Sequence, residues 1–280
     1  MTIGVIGQGW VGKNYADHFE DRGFKVIRYA LEQPYIQNKE MISLCDIVFI
    51  AVPTPSTPTG FDDRHVLDGL RLVGKGKIAV IKSTIPLGTT KRLAELHPDK
   101  YVLHIPEFLR EAHARYDVDS PERVFIGIPE DTPLYRKHAD MLREVHPKSN
   151  FTKVTLAHEA EFIKYTHNTL GYATVLFTNI LYELAVSQGI EWGVVKEAII
   201  NNPWYPSKYL DPVHQGGRGA GGDCFIKDFA ALREMYHGEN PDDIKGLALL
   251  DAMVAKNNQL LRESGKSIEL LDGVYGNGNL

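Results

Sequence analysis

The chain has 280 residues, of which 43% are hydrophobic and 24% charged, so it can bury the core of one large domain or two ordinary ones. A formal net charge of −5 excludes the strongly basic surface that is typical of proteins that bind nucleic acid. Two distant cysteines, Cys45 and Cys224, favour a reducing compartment, and the first apolar stretch, residues 3–6, is too short for a signal peptide or membrane span, so we expect a cytoplasmic protein with no membrane insertion.

A glycine-rich turn follows the first predicted strand. The apolar residues 2–6 precede the turn and a helix-like run at 13–22 follows it, and the turn reads Gly7-Gln8-Gly9-Trp10-Val11-Gly12. In this setting Gly7 makes the turn, Gly9 lets a pyrophosphate approach the backbone, and Gly12 lets the helix pack closely on the strand. The sequence therefore predicts a dinucleotide site in this segment, with NAD as the cofactor.

The end of the second predicted strand, residues 25–29, bears on the choice of cofactor. Dinucleotide-binding sheets usually place an acidic residue there, where it binds the ribose hydroxyls. Here Ala30 takes that position, and Glu32 follows two residues later. Because Ala30 has no charge to repel a 2′-phosphate and Arg28 could attract one, we expect NAD to be used with weak discrimination against NADP, and Glu32 to be the candidate ribose contact.

Further apolar runs have the length and composition of buried parallel strands, and they lie at 46–52, 77–82, 101–105 and 123–128, with a helix pattern at 133–145. Strands that alternate with helices predict an α/β domain at residues 1–155, built on a Rossmann-type, doubly wound parallel sheet. Ligands bind at the carboxyl ends of such strands, and the residues found there are Pro53, Thr54, Ser83 and Thr84.

Two carboxylates follow the strand predicted at 101–105. Glu107 and Glu111 are four residues apart, so they share a face if the segment turns helically. A solvated acidic face is the alternative interpretation.

Residues 156–188 have the pattern of one long helix, about 50 Å in length at 1.5 Å per residue. Its apolar positions nearly encircle it, as expected of a helix that is buried against a second copy, and we expect a homodimer. Lys164 and Asn168 interrupt the apolar surface one turn apart. The helix opens a predicted all-α central domain at 156–265, which is followed by a tail at 266–280.

Residues 216–228 contain five glycines, followed by Cys224 and Asp228. The glycines let the backbone bend tightly and approach a ligand, and the apolar-periodic run after them predicts a helix that ends at Gly238. Cys224 is then near a helix N-terminus, where unpaired N–H groups and the dipole stabilise a thiolate, and Asp228 lies one turn away on the same face. The alternative is a buried structural cysteine after a flexible loop.

In this order, the motifs resemble those of the UDP-glucose/GDP-mannose 6-dehydrogenase family of nucleotide-sugar dehydrogenases, over nearly the whole chain. The residues that carry the resemblance are Gly7 to Gly12, Val52-Pro53-Thr54-Pro55, Ser83-Thr84, Pro106 to Glu111, Ala160 to Lys164 with Asn168, and Gly221 to Asp228. The family oxidises a primary alcohol of the sugar to a carboxylate by two hydride transfers to nicotinamide, through an aldehyde and a cysteine thioester.

The resemblance implies a role for each matching residue. Cys224 would be the nucleophile, while Lys164, Asn168 and Asp228 would hold and polarise the alkoxide. Thr84 would help to position a catalytic water, and Glu111, with Glu107 nearby, would assist hydrolysis of the thioester. The implied cofactor contacts are Gly7, Gly9, Trp10, Val11, Gly12, Glu32, Pro53, Thr54, Thr84 and Lys227.

Two departures from the family pattern bear on the substrate. The family's sequences continue into a second Rossmann-like domain that binds the nucleotide, whereas this sequence stops soon after residues 273–276, which resemble the opening strand and turn of that domain. We therefore expect the chain alone to bind UDP-glucose weakly, with candidate phosphate contacts at Arg218, Lys208 and Lys227. In addition, Trp204 stands five residues before Tyr209, where the family has an arginine that contacts the sugar.

Two other functions stay open. A two-electron dehydrogenase of the hydroxyacid type has the Lys/Asn helix pair but needs no cysteine. An inactive nucleotide-binding subunit could instead partner a full-length homologue. Cys224 together with Asp228 favours the first interpretation, NAD-dependent oxidation of a sugar or nucleotide sugar.

Overall fold

The structure is a computed structural model that describes residues 1–58, 60–205 and 207–276. It divides into two compact units. The N-terminal unit comprises Met1–Thr54 and Asp62–Lys164, and the C-terminal unit comprises Pro55–Phe61 and Tyr165–Leu280. The domain limits predicted from the sequence, 1–155 and 156–265, stay predictions.

The N-terminal unit is built on one sheet of seven strands. In chain order the strands of this chain up to residue 156 are β1 (Thr2–Ile6), β2 (Lys25–Tyr29), β3 (Ile47–Ile50), the short pair β4 (Ser56–Thr57) and β5 (Gly60–Phe61), β6 (Ile78–Ile81), β7 (Tyr101–His104), β8 (Val124–Ile128) and β9 (Thr152–Leu156). The order in the sheet is β2-β1-β3-β6-β7-β8-β9, and β4 and β5 pair separately. Neighbouring strands of the sheet are parallel except β7 and β8. The predicted Rossmann-type parallel sheet is therefore confirmed.

Helices cover this sheet, and their order follows the predicted alternation. They are α1 (Trp10–Asp21), α2 (Arg64–Leu72), α3 (Thr89–Leu96), α4 (Ala114–Asp119) and α5 (Pro133–Val145), with 3-10 helices at Ile36–Leu44 and Glu111–His113. Helix α5 begins where the sequence predicts it, because the Thr132 hydroxyl accepts from the Tyr135 N–H and Pro133 occupies the first turn. The core packs Phe19 of α1 against Phe49 of β3, with ring centroids 4.8 Å apart.

The C-terminal unit is mainly helical. Its elements after β9 are α6 (Ala157–Ser187), α7 (Trp192–Ile200), the hairpin of β10 (Val213–His214) and β11 (Gly217–Arg218), α8 (Gly222–Glu239), α9 (Ile244–Ser264) and α10 (Ile268–Tyr275). The division between the units falls within α6, between Lys164 and Tyr165. In the core, Tyr172 of α6 stacks on Phe229 of α8, with centroids 4.0 Å apart and an interplanar angle of 14°.

Helix α6 carries a large apolar surface that this chain leaves exposed. Phe177 is 63% exposed, and the other exposed apolar residues of the helix include Phe162, Leu170, Ile180, Leu181 and Leu184. By length and composition alone α6 could also cross a membrane, and it is the single helix of the described ranges that passes this test. The same test is passed by core helices of soluble proteins, so it is weak evidence.

Two details differ from the sequence predictions. Residues 273–276, expected to resemble a strand and turn, lie at the end of helix α10, whose Leu271 is buried in a cluster with Ile226 and Leu261. Strand β9 was not predicted, because TKVTL alternates polar and apolar residues in a sheet that otherwise has continuous apolar strands. Residues 277–280 of the predicted tail lie outside the described residues.

Candidate active site

The glycine turn between β1 and α1 has the geometry that dinucleotide binding requires. Gly7 has a φ of 89°, and a Cβ there would lie 2.2 Å from the Ala51 carbonyl oxygen. A Cβ on Gly12 would lie 2.0 Å from the Gly7 carbonyl oxygen, so only glycine lets α1 pack this closely. At Gly9, by contrast, no described atom lies within 4 Å of an added Cβ. The turn thus packs tightly against the protein at Gly7 and Gly12 and leaves space for a ligand at Gly9.

Helix α1 begins at this open side. Gly9 is its N-cap residue, and among the described residues no side chain caps the helix there. The N–H groups of Trp10 and Val11 belong to the first turn, which has no intrahelical acceptors and which attracts phosphate. The residues present therefore fit the pyrophosphate of a dinucleotide.

The surroundings of the ribose position differ from the sequence prediction in one respect. The Arg28 guanidinium, considered as a possible partner of a 2′-phosphate, donates to Asp17 Oδ1 at 2.6 Å and to Glu20 Oε2 at 2.6 Å. Its charge is therefore balanced by two carboxylates within the protein. Glu32, the candidate ribose contact, is exposed, and Ala30 is buried.

Hydroxyl groups link the carboxyl ends of β3 and β6. The Ser83 hydroxyl donates to the Val52 carbonyl oxygen at 2.7 Å, and Thr54 Oγ1 donates to the Thr84 carbonyl oxygen at 2.8 Å. Thr54 and Thr84 are buried, whereas Pro53, which precedes Thr54, is exposed. Both predicted threonines therefore lie at the edge of the sheet where Rossmann-type folds bind ligands.

Lys164 and Glu107 form a buried ion pair. Lys164 Nζ lies 3.1 Å from Glu107 Oε1, and the two side chains are 5% and 7% exposed. Glu107 Oε2 accepts from the Leu109 N–H at 2.8 Å. Each partner offsets part of the cost of burying the other.

Glu111 does not share a helical face with Glu107, because the segment between them does not turn helically, which was the condition for that interpretation. Residues 105–110 are not helical, and Glu111 begins the 3-10 helix Glu111–His113 as an exposed residue. The structure therefore brings Glu107, but not Glu111, to Lys164.

In the C-terminal unit, Asp228 is the centre of a cluster of polar side chains. It is 1% exposed, and its Oδ2 accepts from Asn168 Nδ2 at 2.5 Å while its Oδ1 lies 2.5 Å from Lys227 Nζ. Cys224 is half-buried in the first turn of α8, one turn before Asp228. The predicted position of Cys224 at a helix N-terminus is therefore confirmed, and Asn168, Asp228 and Lys227 come together.

Two of the three residues proposed as phosphate contacts, Lys227 and Arg218, bind side chains of the protein. Besides the ion pair of Lys227 with Asp228, the Arg218 guanidinium donates to Glu183 Oε1 at 2.7 Å and to Asn179 Oδ1 at 2.9 Å. Trp204 is 87% exposed. Arg218 thus contributes to the packing of the glycine segment against α6.

Sequence reasoning missed a buried carboxylate on α6. Glu161 is 0% exposed, and its Oε2 accepts from the Gly88 N–H at 2.6 Å. Its Oε1 accepts from the Thr90 N–H at 2.9 Å and from Thr90 Oγ1 at 2.6 Å. Glu161 therefore caps α3 from another helix, and burial raises the pKa of its carboxyl although these hydrogen bonds oppose the shift. The signal in the sequence was an acidic residue one turn before Lys164.

Sequence reasoning also missed a buried lysine beneath α1. Lys82 is 1% exposed, and its Nζ donates to Tyr15 OH at 3.0 Å and lies 3.2 Å from His146 Nε2. Burial lowers the pKa of Lys82 to about 7, with Glu107 opposing this shift and Lys164 adding to it. Burial also lowers the pKa of His146, so its ring is neutral and Nε2 is free to accept from Lys82.

We predict that Gly9→Ala and Gly12→Ala have different effects. At Gly9 the added methyl group meets no described atom, so the fold should keep its melting temperature while NAD binding weakens by about tenfold or more. At Gly12 it would overlap the Gly7 carbonyl, so thermal stability should fall as well. Calorimetric titration with NAD and thermal denaturation would check both variants. NAD binding by Gly9→Ala at wild-type affinity would contradict the assigned ligand position.

We predict a pH-dependent stability caused by Lys82. Its pKa is about 7 in the folded chain and 10.5 as the ordinary value, so between these limits the unfolded chain binds a proton that the folded chain does not. Stability therefore rises from pH 7 toward pH 10 and falls as the pH is lowered through this window, by about 1 kcal/mol per pH unit. Lys82→Met should lose this contribution. Denaturant unfolding at pH 7 to 9.5 would check it, and parallel curves for the two proteins would contradict it.

Two family models match the chain, in the order of its two parts. The NAD binding domain model of the UDP-glucose/GDP-mannose dehydrogenase family matches residues 33–149, and the central domain model of the same family matches residues 158–259.

Individual proteins agree with this match. UDP-glucose 6-dehydrogenase TuaD of Bacillus subtilis is 30% identical over 278 residues, covering 83% of this chain and 58% of TuaD. A UDP-glucose dehydrogenase structure from Pyrobaculum islandicum gives a TM-score of 0.79 at 25% identity, covering 93% of this chain and 68% of that one.

The fold also occurs outside nucleotide-sugar enzymes. Mycobacterium tuberculosis 3-hydroxyisobutyrate dehydrogenase gives a TM-score of 0.68 at 14% identity, covering 92% of this chain and 95% of that one. The chain spans about half the length of the curated relatives it matches. Because both family models match in sequence order, this chain belongs to the UDP-glucose/GDP-mannose dehydrogenase family.

Proposed function

We propose that the chain oxidises the primary alcohol of a nucleotide sugar to a carboxylate, in two NAD-dependent steps, through a thioester on Cys224. The observation that carries the proposal is the position of Cys224 in the first turn of α8, with the Asp228 carboxylate one turn behind it. A dehydrogenase that stops at the first oxidation needs no nucleophile, whereas oxidation of an aldehyde to an acid requires a tetrahedral carbon that can release a second hydride.

In the first oxidation the alcohol loses a proton to water and a hydride. NAD, when bound, would supply the hydride acceptor, and the second oxidation would need a second NAD molecule in place of the NADH formed by the first. Lys164 and Asn168, one turn apart on α6, are the proposed groups that stabilise the alkoxide. The ion pair with Glu107 holds the Lys164 side chain in a buried position. The hydrogen bond to Asp228 fixes the Asn168 amide, with its Nδ2 donating to the carboxylate.

In the second oxidation the Cys224 thiolate adds to the aldehyde carbon. The tetrahedral adduct then loses a hydride to become a thioester, and the helix N-terminus can stabilise both the thiolate and the oxyanion. Water hydrolyses the thioester, which releases the carboxylate and returns the thiol. By the family resemblance, Thr84 would help to position this water, and Glu111, with Glu107 nearby, would assist the hydrolysis.

We propose NAD as the cofactor. The open approach at Gly9 and the first turn of α1 accommodate the pyrophosphate of either dinucleotide. What favours NAD is the pairing of Arg28 with Asp17 and Glu20, which leaves this guanidinium less able to bind a 2′-phosphate.

We also propose that the chain forms a cytoplasmic homodimer through the exposed apolar face of α6. This face includes Phe177 at 63% exposure and Leu184 at 59%. A row of exposed apolar side chains along one helix is unfavourable on a soluble monomer.

Replacement of the nucleophile gives the sharpest test of the reaction. With a panel of UDP- and GDP-sugars, we expect the wild-type chain to form two NADH per substrate and a carboxylate. Cys224→Ser should lose carboxylate formation by at least about a thousandfold, because a serine hydroxyl is not deprotonated at neutral pH and an oxygen ester replaces the thioester. Cys45→Ser is the matched control, since Cys45 is buried in the N-terminal unit.

Mass spectrometry of the product decides the outcome. One NADH per substrate would favour the hydroxyacid-type alternative, and undiminished carboxylate from Cys224→Ser would remove Cys224 from the mechanism.

The oligomer is tested separately. Light scattering of the purified chain should give twice the 31.4 kDa mass of the chain. Phe177→Glu should give the monomer, because it places a charge in the proposed apolar interface. Leu249→Glu is the control, since Leu249 is similarly exposed, at 62%, but lies on α9. A wild-type species of 31.4 kDa would refute the dimer.

A further inference from the structure

The glycine segment before Cys224 packs against one later stretch of the chain. A Cβ on Gly217 would lie 2.7 Å from Lys266 Cβ, and a Cβ on Gly221 would lie 2.6 Å from Ser267 Oγ. A Cβ on Gly219 would lie 3.1 Å from Asn257 Oδ1. Three of the five glycines therefore make room for side chains between the second half of α9 and the N-cap of α10. The sequence had suggested that these glycines allow close approach of a ligand.

Side chains of that later stretch hold the backbone of the glycine segment. Asn257 Oδ1 accepts from the Ala220 N–H at 2.7 Å, and Asn257 Nδ2 donates to the Ala220 carbonyl oxygen at 3.1 Å. Three further hydrogen bonds act beside it: Ser264 Oγ accepts from the Arg218 N–H, Lys266 Nζ donates to the Gly219 carbonyl oxygen, and Ser267 Oγ accepts from the Gly222 N–H. We call Asn257, Ser264, Lys266 and Ser267 the loop clamp.

Asn257 has the central position in the loop clamp. It binds both backbone groups of Ala220, and the two residues are each 1% exposed. Ala220 lies between Gly219 and Gly222, whose φ angles are 86° and 81°. Because glycines at positive φ have many alternative conformations, they are points about which the segment can rotate. The two hydrogen bonds of Asn257 restrict rotation of the backbone between Gly219 and Gly222.

The position of Cys224 follows from this restraint. Gly221 is the N-cap residue of α8, and Cys224 is the third residue of the helix. A rotation at Ala220 would therefore change how the first turn of α8 begins, and with it the direction of the N–H groups in that turn, which have no intrahelical acceptors. The side-chain amide of Asn257 supplies both the acceptor for the Ala220 N–H and the donor for its carbonyl oxygen.

We propose that Asn257 is a positioning residue for Cys224. It fixes the backbone at Ala220 and so holds the first turn of α8 in the orientation in which the thiolate is stabilised. Its effect on catalysis rests on the proposed function of Cys224, whereas its effect on the loop does not.

The test compares Asn257→Ala and Asn257→Asp with Asn258→Ala in the full chain. Asn257→Asp keeps the shape but sets a carboxylate oxygen against the Ala220 carbonyl. Asn258 is the matched control, since it is the next residue of α9, is 3% exposed, and its Oδ1 has no hydrogen-bond partner among the described residues. All three variants can lose thermal stability, so thermal denaturation serves only to show that each is folded at the temperature used.

Two measurements decide the proposal. Hydrogen exchange followed by mass spectrometry should show the amides of residues 219–222 exchanging about tenfold faster or more in both Asn257 variants, but not in Asn258→Ala. The rate of Cys224 alkylation by iodoacetamide, measured from pH 5 to 9, should fall by about fivefold or more at neutral pH in the Asn257 variants, with its midpoint moved to higher pH.

The possible outcomes are distinct. Unchanged exchange at 219–222 would overturn the loop clamp, and faster exchange with unchanged alkylation would reduce Asn257 to a structural role and overturn the proposal. An equal effect from Asn258→Ala would also overturn it. If the wild-type chain forms no carboxylate, the proposed function fails, but exchange and alkylation still decide the role of Asn257.

Discussion

The first turns of helix α6 depend on two buried carboxylates. A carboxylate that leaves water costs several kcal/mol unless hydrogen bonds or an opposite charge compensate for it. Glu161 is compensated by three hydrogen bonds from Gly88 and Thr90, which fix the start of α3 against α6. One turn later, Lys164 is compensated by Glu107. The proposed alkoxide-binding lysine is thus fixed by its own ion pair and by the cap that holds its helix.

The same constraint acts in the C-terminal unit. Asp228 is buried, and it is compensated by the Asn168 amide and the Lys227 ammonium. The amide of Asn257 compensates the buried backbone of Ala220 in the same manner. In each case a polar group that faces the interior can take only the orientation that its partner allows. Such groups add little net stability, but they restrict the conformations of the site.

The fold followed from the sequence where local rules apply. Buried parallel strands are continuous apolar runs, and the bounds of β1 and β2 agree with the prediction. The start of α5 and the location of Cys224 in the first turn of α8 also follow from short-range signals, the Thr132 cap and the glycines. Strand β9 was missed because it lies at the edge of the sheet and alternates polar with apolar residues. The pairing of Glu107 and Glu111 failed because helical spacing has meaning only within a helix, and none forms there.

The residues that the sequence did not reveal share one physical property: each bonds to a partner that is distant in the sequence. Lys82 bonds to Tyr15 across 67 positions of the chain, and Asn257 bonds to Ala220 across 37. A motif identifies residues that act on a ligand, because ligand chemistry requires several residue types at fixed short spacings. A residue that acts on another part of the protein needs only one partner, which can lie anywhere in the sequence. Because Lys82 and Asn257 are almost fully buried, their replacement changes stability together with any effect on the site. Measurements that separate the two effects are therefore needed to recognise positioning residues in this fold.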